Sequence, residues 1–302
     1  YFGDEDVPQD IKKAIHYFTL AANQYDINAQ RELGKIYFSG KYVPENIEKS
    51  IYYFTLAADH NDSKAQYFLG KIYYNECIYR NIEKSIHYLS LSASQNDPDA
   101  QYFLGLIYFK GEYVKREMIK TLKYMEMASE NDNIDAQLFL GDLYFEGKYV
   151  KRNIEFAIKY YKKASSFNNQ YAKNNLGVIY KNGFNFVEPN NNFAKIYFNE
   201  AIKQTSDCVS MFNLANILLD EEDQESAIKF LIESSYQDYV KSKALLGHIF
   251  ARNYKSIDIN IIIYEISKYK KECNDIVDDV YSLAHKIQTT SNIYERKKYE
   301  SD

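Results

Sequence analysis

The sequence predicts an all-α fold, a right-handed α/α superhelical solenoid of helix-turn-helix repeats with a period of about 36 residues. Three observations carry that expectation. A Leu-Gly pair recurs as Leu33-Gly34, Leu69-Gly70, Leu104-Gly105, Leu140-Gly141 and Leu176-Gly177, then as Leu214-Ala215 and Leu246-Gly247, in steps of 36, 35, 36, 36, 38 and 32 residues. Five residues before each second member stands a small residue (Ala29, Ala65, Ala100, Ala136, Ala172, Ser210, Ser242), and three residues after the glycine stands Tyr37, Tyr73, Tyr108, Tyr144 or Tyr180. A second small column, Ala14, Ser50, Ser85, Thr121, Ala157, Ala194 and Ala227, is followed three residues later by Tyr17, Tyr53, Tyr88, Tyr124, Tyr160, Tyr197 or Phe230. Spacings of three and four place these residues on helical faces, so each repeat reads as a pair of helices.

The fullest copy runs from Ala100 to Ser129, with a first helix over about 100–111 and a second over about 117–129. Glycine inside a helix costs roughly 1 kcal/mol against alanine. Its return at one helical position therefore predicts a site where a backbone packs against a side chain with no room for a Cβ. The later glycines, Gly40, Gly111, Gly147 and Gly183, read as helix C-caps that need a left-handed residue. Asp10, Asn46, Asn81 and Asn153 read as N-caps of the second helices. Val43, Val114, Val150 and Val187 are expected to bury the loops between.

The pattern A-x-x-x-L-G-x-x-Y-x-x-G, a valine-containing loop, a small-x-x-aromatic helix and a closing pair such as Ala21-Ala22 or Ala57-Ala58 resembles the Sel-1-like repeat family, relatives of the tetratricopeptide repeats. The resemblance covers roughly residues 1–253, departs at Glu76 and Ala215, and weakens after Gly183. Tetratricopeptide repeats proper have 34-residue spacing and a proline after the second helix, and neither holds here. The resemblance implies a non-catalytic adaptor that binds protein or peptide partners in a concave groove lined by first helices. Members act in membrane-protein quality control, in regulation of cell-wall synthases and in host–microbe contacts, and some follow a protein kinase domain.

Taken in order, the chain reads as a second helix over 10–22, then pairs at about 28–59, 64–95, 99–130, 135–167, 171–204 and 208–236, and a first helix at 240–253. Tyr1-Phe2 aligns with Tyr37-Phe38, so the chain is expected to begin inside a repeat of a longer protein. The polar loop Asn182–Asn192 reads as a bulge at the rim, and Asp220–Asp223 as a solvated turn. Helices are expected over 256–271 and 274–288, the latter with a stripe of Ile276, Val280, Leu283, Ala284 and Ile287. Residues 254–302 would then hold capping helices and a frayed tail.

Composition narrows the function. A net charge of −5 gives no overall basic footprint for nucleic acid, which makes a nucleic-acid-binding helical repeat the lesser alternative. Cys77, Cys208 and Cys273 show no pairing pattern, which suits a reducing, cytoplasmic compartment. No run approaches the ~20 apolar residues of a membrane span. No phosphate loop, dinucleotide fingerprint or catalytic elbow occurs. His16 and His87 share a column with Tyr52 and Lys123, which makes it a surface column. No catalytic, cofactor or metal residues are expected.

Function is left to the groove. Columns two, three, six and nine residues after the first alanine should line it. They read Arg31, Glu32, Lys35 and Phe38, then Tyr67, Phe68, Lys71 and Tyr74. The next copies give Tyr102, Phe103, Leu106 and Phe109, then Leu138, Phe139, Asp142 and Phe145. Asn174, Asn175, Val178 and Lys181 lose the aromatics. Phe68, Phe103 and Phe139 are expected to pack repeat against repeat. The candidate contacts are Lys35, Tyr67, Lys71, Tyr74, Tyr102, Leu106, Phe109, Asp142 and Phe145, because aromatic anchors beside a few charges suit burial of a peptide segment.

Overall fold

A computed structural model describes residues 10–184 and 186–253. They fall into two compact units, one ending at Asn153 and one beginning at Ile154. The first unit holds α1 (Ile11–Ala22), α2 (Ile27–Ser39), α3 (Ile47–Asp59), α4 (Ser63–Asn75), α5 (Ile82–Ser94), α6 (Pro98–Lys110), α7 (Met118–Glu130) and α8 (Ile134–Glu146). The second holds α9 (Ile154–Ser166), α10 (Gln170–Asn182), α11 (Asn191–Thr205), α12 (Cys208–Asp220), α13 (Gln224–Tyr236) and α14 (Val240–Asn253). Within each unit every helix packs on the one before it, the arrangement of an all-α solenoid of helical repeats. The helices expected over 256–271 and 274–288, their capping role, Cys273 and the Tyr1-Phe2 alignment lie outside the described residues.

Local chemistry starts and stops each helix. Asp10, Asn46 and Asn81 accept a hydrogen bond from the backbone N–H three residues on, as N-caps of second helices. The first helices carry a cap column that the periodicity alone does not single out. Asp26, Asp62, Asp97, Asn133, Asn169 and Asp207 each accept from the N–H of the small residue at the head of the repeat. Gly40, Gly111 and Gly147 end their helices in the left-handed region. Glu76, which cannot enter that region cheaply, ends α4 in an extended conformation, and its loop to Asn81 is one residue shorter. Val43, Val114 and Val150 are half-buried beneath these loops.

The Leu-Gly column is the contact between paired helices. Leu33, Leu69, Leu104 and Leu140 are fully buried. A Cβ on Gly34 would stand 2.6 Å from the ring of Phe54, one on Gly70 2.4 Å from Leu89 Cγ, and one on Gly105 2.9 Å from Met125 Cε. In the second unit Gly177 faces Phe198 at 2.5 Å. The small column of the second helix lets the pair approach: Ser50 and Ser85 are buried and donate to the carbonyls of Gly34 and Gly70 at 3.0 and 2.7 Å. The two tyrosine columns meet as parallel stacked rings. Tyr37 lies on Tyr53 at 5.9 Å, Tyr73 on Tyr88 at 5.9 Å, Tyr108 on Tyr124 at 6.0 Å and Tyr180 on Tyr197 at 5.6 Å.

Repeat is joined to repeat through carbonyls at the C-terminus of each second helix. Asn61, Asn96 and Asp132 adopt positive φ there, as Tyr25 does. The chain turns so that the next N-cap donates back: Asp62 N–H to Ala57 O at 3.1 Å, Asp97 to Ser92 at 3.3 Å, Asn133 to Ala128 at 2.9 Å. The following carbonyl takes a side-chain amide from the next first helix. Gln30 donates to Ala22 O, Gln66 to Ala58 O, Gln101 to Ala93 O and Gln137 to Ser129 O, at 3.1–3.4 Å.

Within the loop expected as a bulge at the rim, Phe184 and Val187 exchange both backbone hydrogen bonds, and Asn190 caps α11. Gly34→Ala is expected to destabilise by about 1–2 kcal/mol, because overpacking of ~1–3 kcal/mol exceeds the helix-propensity gain. Urea unfolding of the variant beside the parent measures it.

Candidate partner-binding face of the first helices

The candidate residues lie in the first unit, on α2, α4, α6 and α8. Neighbouring first helices are tied by rings from different columns. Phe38 tilts against Phe68 at 6.0 Å, Tyr74 meets Phe103 edge-on at 5.4 Å, and Phe109 meets Phe139 edge-on at 4.9 Å. Phe68 also stacks on Phe54 at 5.0 Å. The third and ninth columns are thus consumed largely by each other, as expected for Phe68, Phe103 and Phe139.

One candidate lies deeper than a contact residue should, and another is held by its neighbours. Tyr74 is only 7% exposed and is held between Phe103 and Tyr113, with its hydroxyl donating to Glu112 at 3.4 Å. Phe109 is wedged edge-on between Phe139 and Tyr149, with the Arg116 guanidinium 5.7 Å from its ring. Both serve the junction of repeats, because a ring at the last turn of one first helix reaches the first turn of the next. Phe145 is half-buried beneath the guanidinium of Arg152 at 5.2 Å.

In the second column Tyr67 meets Phe68 edge-on at 5.4 Å and packs against the core of the next repeat. Tyr67, Tyr102 and Leu138 are half-buried, as are Lys35, Lys71, Leu106 and Asp142. Lys35 pairs with Glu32 at 2.8 Å. A polar network that the sequence reading missed flanks the tyrosines. Lys64 bridges Asp97 and Asp99 at 2.9 Å each and lies 5.9 Å from the Tyr67 ring, and Asn133 donates to Asp99 at 3.3 Å. One repeat earlier Arg31, from a different column than Lys64, forms an ion pair with Asp62, the equivalent of Asp97. The N-cap carboxylates Asp62 and Asp97 therefore each meet a cation from the preceding repeat. The legible signal was the recurrence of Asp or Asn three residues before the small column.

Burial raises the phenol pKa of Tyr67, with Asp99 and Asp97 adding to it, and burial likewise raises Tyr102, helped by Asp135. Both hydroxyls stay protonated at neutral pH and can donate hydrogen bonds across the face. Among the described residues no group of three or more His, Cys, Asp or Glu is placed to hold a metal ion. His16, His60, His87 and His248 are all exposed. Among the described helices none is long and apolar enough to cross a membrane.

Consecutive helix pairs, buried Leu-Gly junctions and an open first-helix face define a helical-repeat protein. A family model described as "Sel1 repeat" matches residues 1–26, 27–62, 63–97, 98–133, 134–166 and 170–206. The chain belongs to the Sel1 repeat family, whose members are generally protein-interaction scaffolds on a typically non-catalytic fold. Among solved structures it is similar to a Sel1 repeat protein from Oxalobacter formigenes, with a TM-score of 0.64, 24% identity, 81% of this chain covered and 72% of that one. It is also similar to c5321, a protective antigen of uropathogenic Escherichia coli strains displaying an SLR fold, with a TM-score of 0.54 and 21% identity. That match covers 87% of this chain and 65% of the antigen. These likenesses concern the fold. Comparison with curated proteins gives no match.

Two measurements separate packing from contact. Tyr74→Ala is expected to destabilise by ~3–5 kcal/mol, as for other buried aromatic truncations, and Tyr102→Ala by about 1 kcal/mol, as an average point mutation does; chemical denaturation reads both. The second concerns pH. Burial raises Tyr53, Tyr67, Tyr73, Tyr74, Tyr88, Tyr102, Tyr144 and Tyr197 above their ordinary value. Above about pH 10 the unfolded chain ionises its tyrosines first and holds fewer protons, so stability falls as pH rises through the raised folded values. Thermal melts are expected to hold up to about pH 9 and decline above pH ~10, with phenolate absorbance of the native chain lagging behind that of the denatured chain.

Proposed function

We propose that the first-helix face of the second to fourth repeats holds a segment of a partner protein, and that the protein acts by bringing partners together without chemistry of its own. The observation that supports this reading is the division of the face. The third and ninth columns lock repeat to repeat, while Tyr67, Tyr102 and Leu138 remain half-buried beside Lys71, Leu106 and Asp142. Half-buried rings with protonated hydroxyls offer apolar area at low entropic cost together with a hydrogen-bond donor, the composition of protein-recognition hot spots. Lys35, Phe109 and Phe145 border this strip. As part of a longer polypeptide, including one with a kinase domain, the module would present such a segment to its neighbours.

The test is capture from extract of the source cell, with the parent chain beside a Tyr67→Ala/Tyr102→Ala variant and with identification by mass spectrometry. Tyr67 meets Phe68 edge-on at 5.4 Å, so a thermal melt of the variant checks that it is folded before capture. Proteins retained by the parent and lost by the folded variant are the expected outcome. Equal retention by both removes this face from the binding site. Retention of RNA alone would replace the reading with nucleic-acid recognition.

A further inference from the structure

The loops joining each first helix to its second helix lie at one end of the helix pairs in the first unit, and the turns to the next repeat lie at the other. Charge is divided between these ends. In the third and fourth repeats the loop end carries Lys110, Lys115, Arg116, Lys148, Lys151 and Arg152 against Glu112, Glu117 and Glu146. The turns leading into α6 and α8 carry Asp97, Asp99, Glu130, Asp132 and Asp135 with Lys64 as a counter-ion. The net charge of −5 conceals this separation.

Helix electrostatics accounts for part of the loop-end charge. Cations are favoured at a helix C-terminus, and Arg80 and Arg116 bond there directly. Arg80 Nε donates to Tyr74 O at 3.3 Å and Arg116 Nε to Phe109 O at 2.7 Å. Each guanidinium then lies over the loop tyrosine of the following repeat, Tyr113 at 5.0 Å and Tyr149 at 5.2 Å. Those two arginines fasten neighbouring loops together. Lys115 and Lys151 have no such role. They stand two residues before Glu117 and Asn153, at the N-terminal end of a second helix, where the dipole disfavours a cation. Together with Lys148, whose ammonium lies 5.2 Å from the centre of the Tyr149 ring, they are exposed, and none of the three is held in an ion pair among the described residues. The most exposed large apolar side chains described in the first unit stand at this same end: Ile78 at 90% and Ile119 at 85%. Fold stability calls for neither feature.

We propose that this loop edge is a second docking surface, separate from the first-helix face, and that its occupant is an acidic segment of a partner protein carrying aliphatic residues among its carboxylates. Charge complementarity with the lysines and apolar complementarity with Ile78 and Ile119 together point to that chemistry. Single-stranded nucleic acid fits less well. It needs open aromatic platforms for its bases, whereas Tyr113 and Tyr149 already have a guanidinium over the ring and an edge-on ring beside it.

Fluorescence anisotropy tests the proposal, with a fluorescein-labelled peptide of paired glutamates separated by leucines, its lysine-for-glutamate counterpart, and oligouridylate as probes. The parent is expected to bind the acidic peptide, more weakly as salt rises, and not its basic counterpart. Lys115→Glu/Lys148→Glu/Lys151→Glu is expected to weaken that binding by about tenfold or more at an unchanged melting temperature. Ile78→Ser/Ile119→Ser is expected to weaken it while preserving the salt dependence. The Tyr67→Ala/Tyr102→Ala variant is expected to bind the acidic peptide like the parent. Absence of binding by the parent, binding indifferent to the charge reversal, loss in the tyrosine variant, or preference for oligouridylate would each overturn the proposal.

Discussion

The carbonyl groups at the end of each second helix are the constraint on which the rest of this structure depends. A helix leaves its last carbonyls without internal partners, and here those groups are buried between repeats, where leaving one unsatisfied would cost about 1–3 kcal/mol. The turn's own N–H groups reach some of them, as His60 does Ala57 and Asn61 does Ala58, and the next repeat adds two further donors. Its N-cap residue donates through the backbone after a left-handed turn, and its glutamine donates through the side chain, so Ala57 and Ala58 are met by Asp62 and Gln66. Because both donors belong to the following first helix, satisfying the carbonyls also sets where that helix begins.

Packing within each pair follows a reciprocal rule. A glycine on the first helix faces a large side chain on the second, and the identity of that side chain varies: Phe54, Leu89, Met125, Phe198. Where the first helix has Ala215, Leu231 stands opposite and both are buried. The column keeps space between helices, not a residue type.

With junctions fixed in this way, the surfaces left over divide by position. Rings at the third and ninth columns bind first helix to first helix, while Tyr102, Leu106 and Leu138 of the second and sixth columns keep part of their surface exposed. Arginines at the loop end close the first helices and reach the next loop's tyrosine, while neighbouring lysines face solvent. A scaffold made of near-identical units can acquire distinct binding surfaces in this way, because substitutions outside the junction columns leave the units able to stack.

Repeat period, helix pairing, the reason for the Leu-Gly glycines and the caps Asp10, Asn46 and Asn81 were all legible in the sequence. Each is a local requirement: a helical face, a missing Cβ, an unsatisfied N–H. Tertiary structure decided which aromatic columns are consumed. Tyr67 and Tyr74 both read as candidate contacts, yet one is half-buried and the other is buried, because only the placement of the next repeat brings Phe103 and Tyr113 against Tyr74. The glutamine column was equally visible as letters, but its purpose depends on carbonyls eight residues earlier that become buried only when repeats stack. Separation of charge between the loop and turn ends was hidden for a similar reason: residues far apart in the chain gather at one end only after alternate helices run in opposite directions. Spacing along the chain determines the unit, and contact between units determines which of its side chains remain to be used.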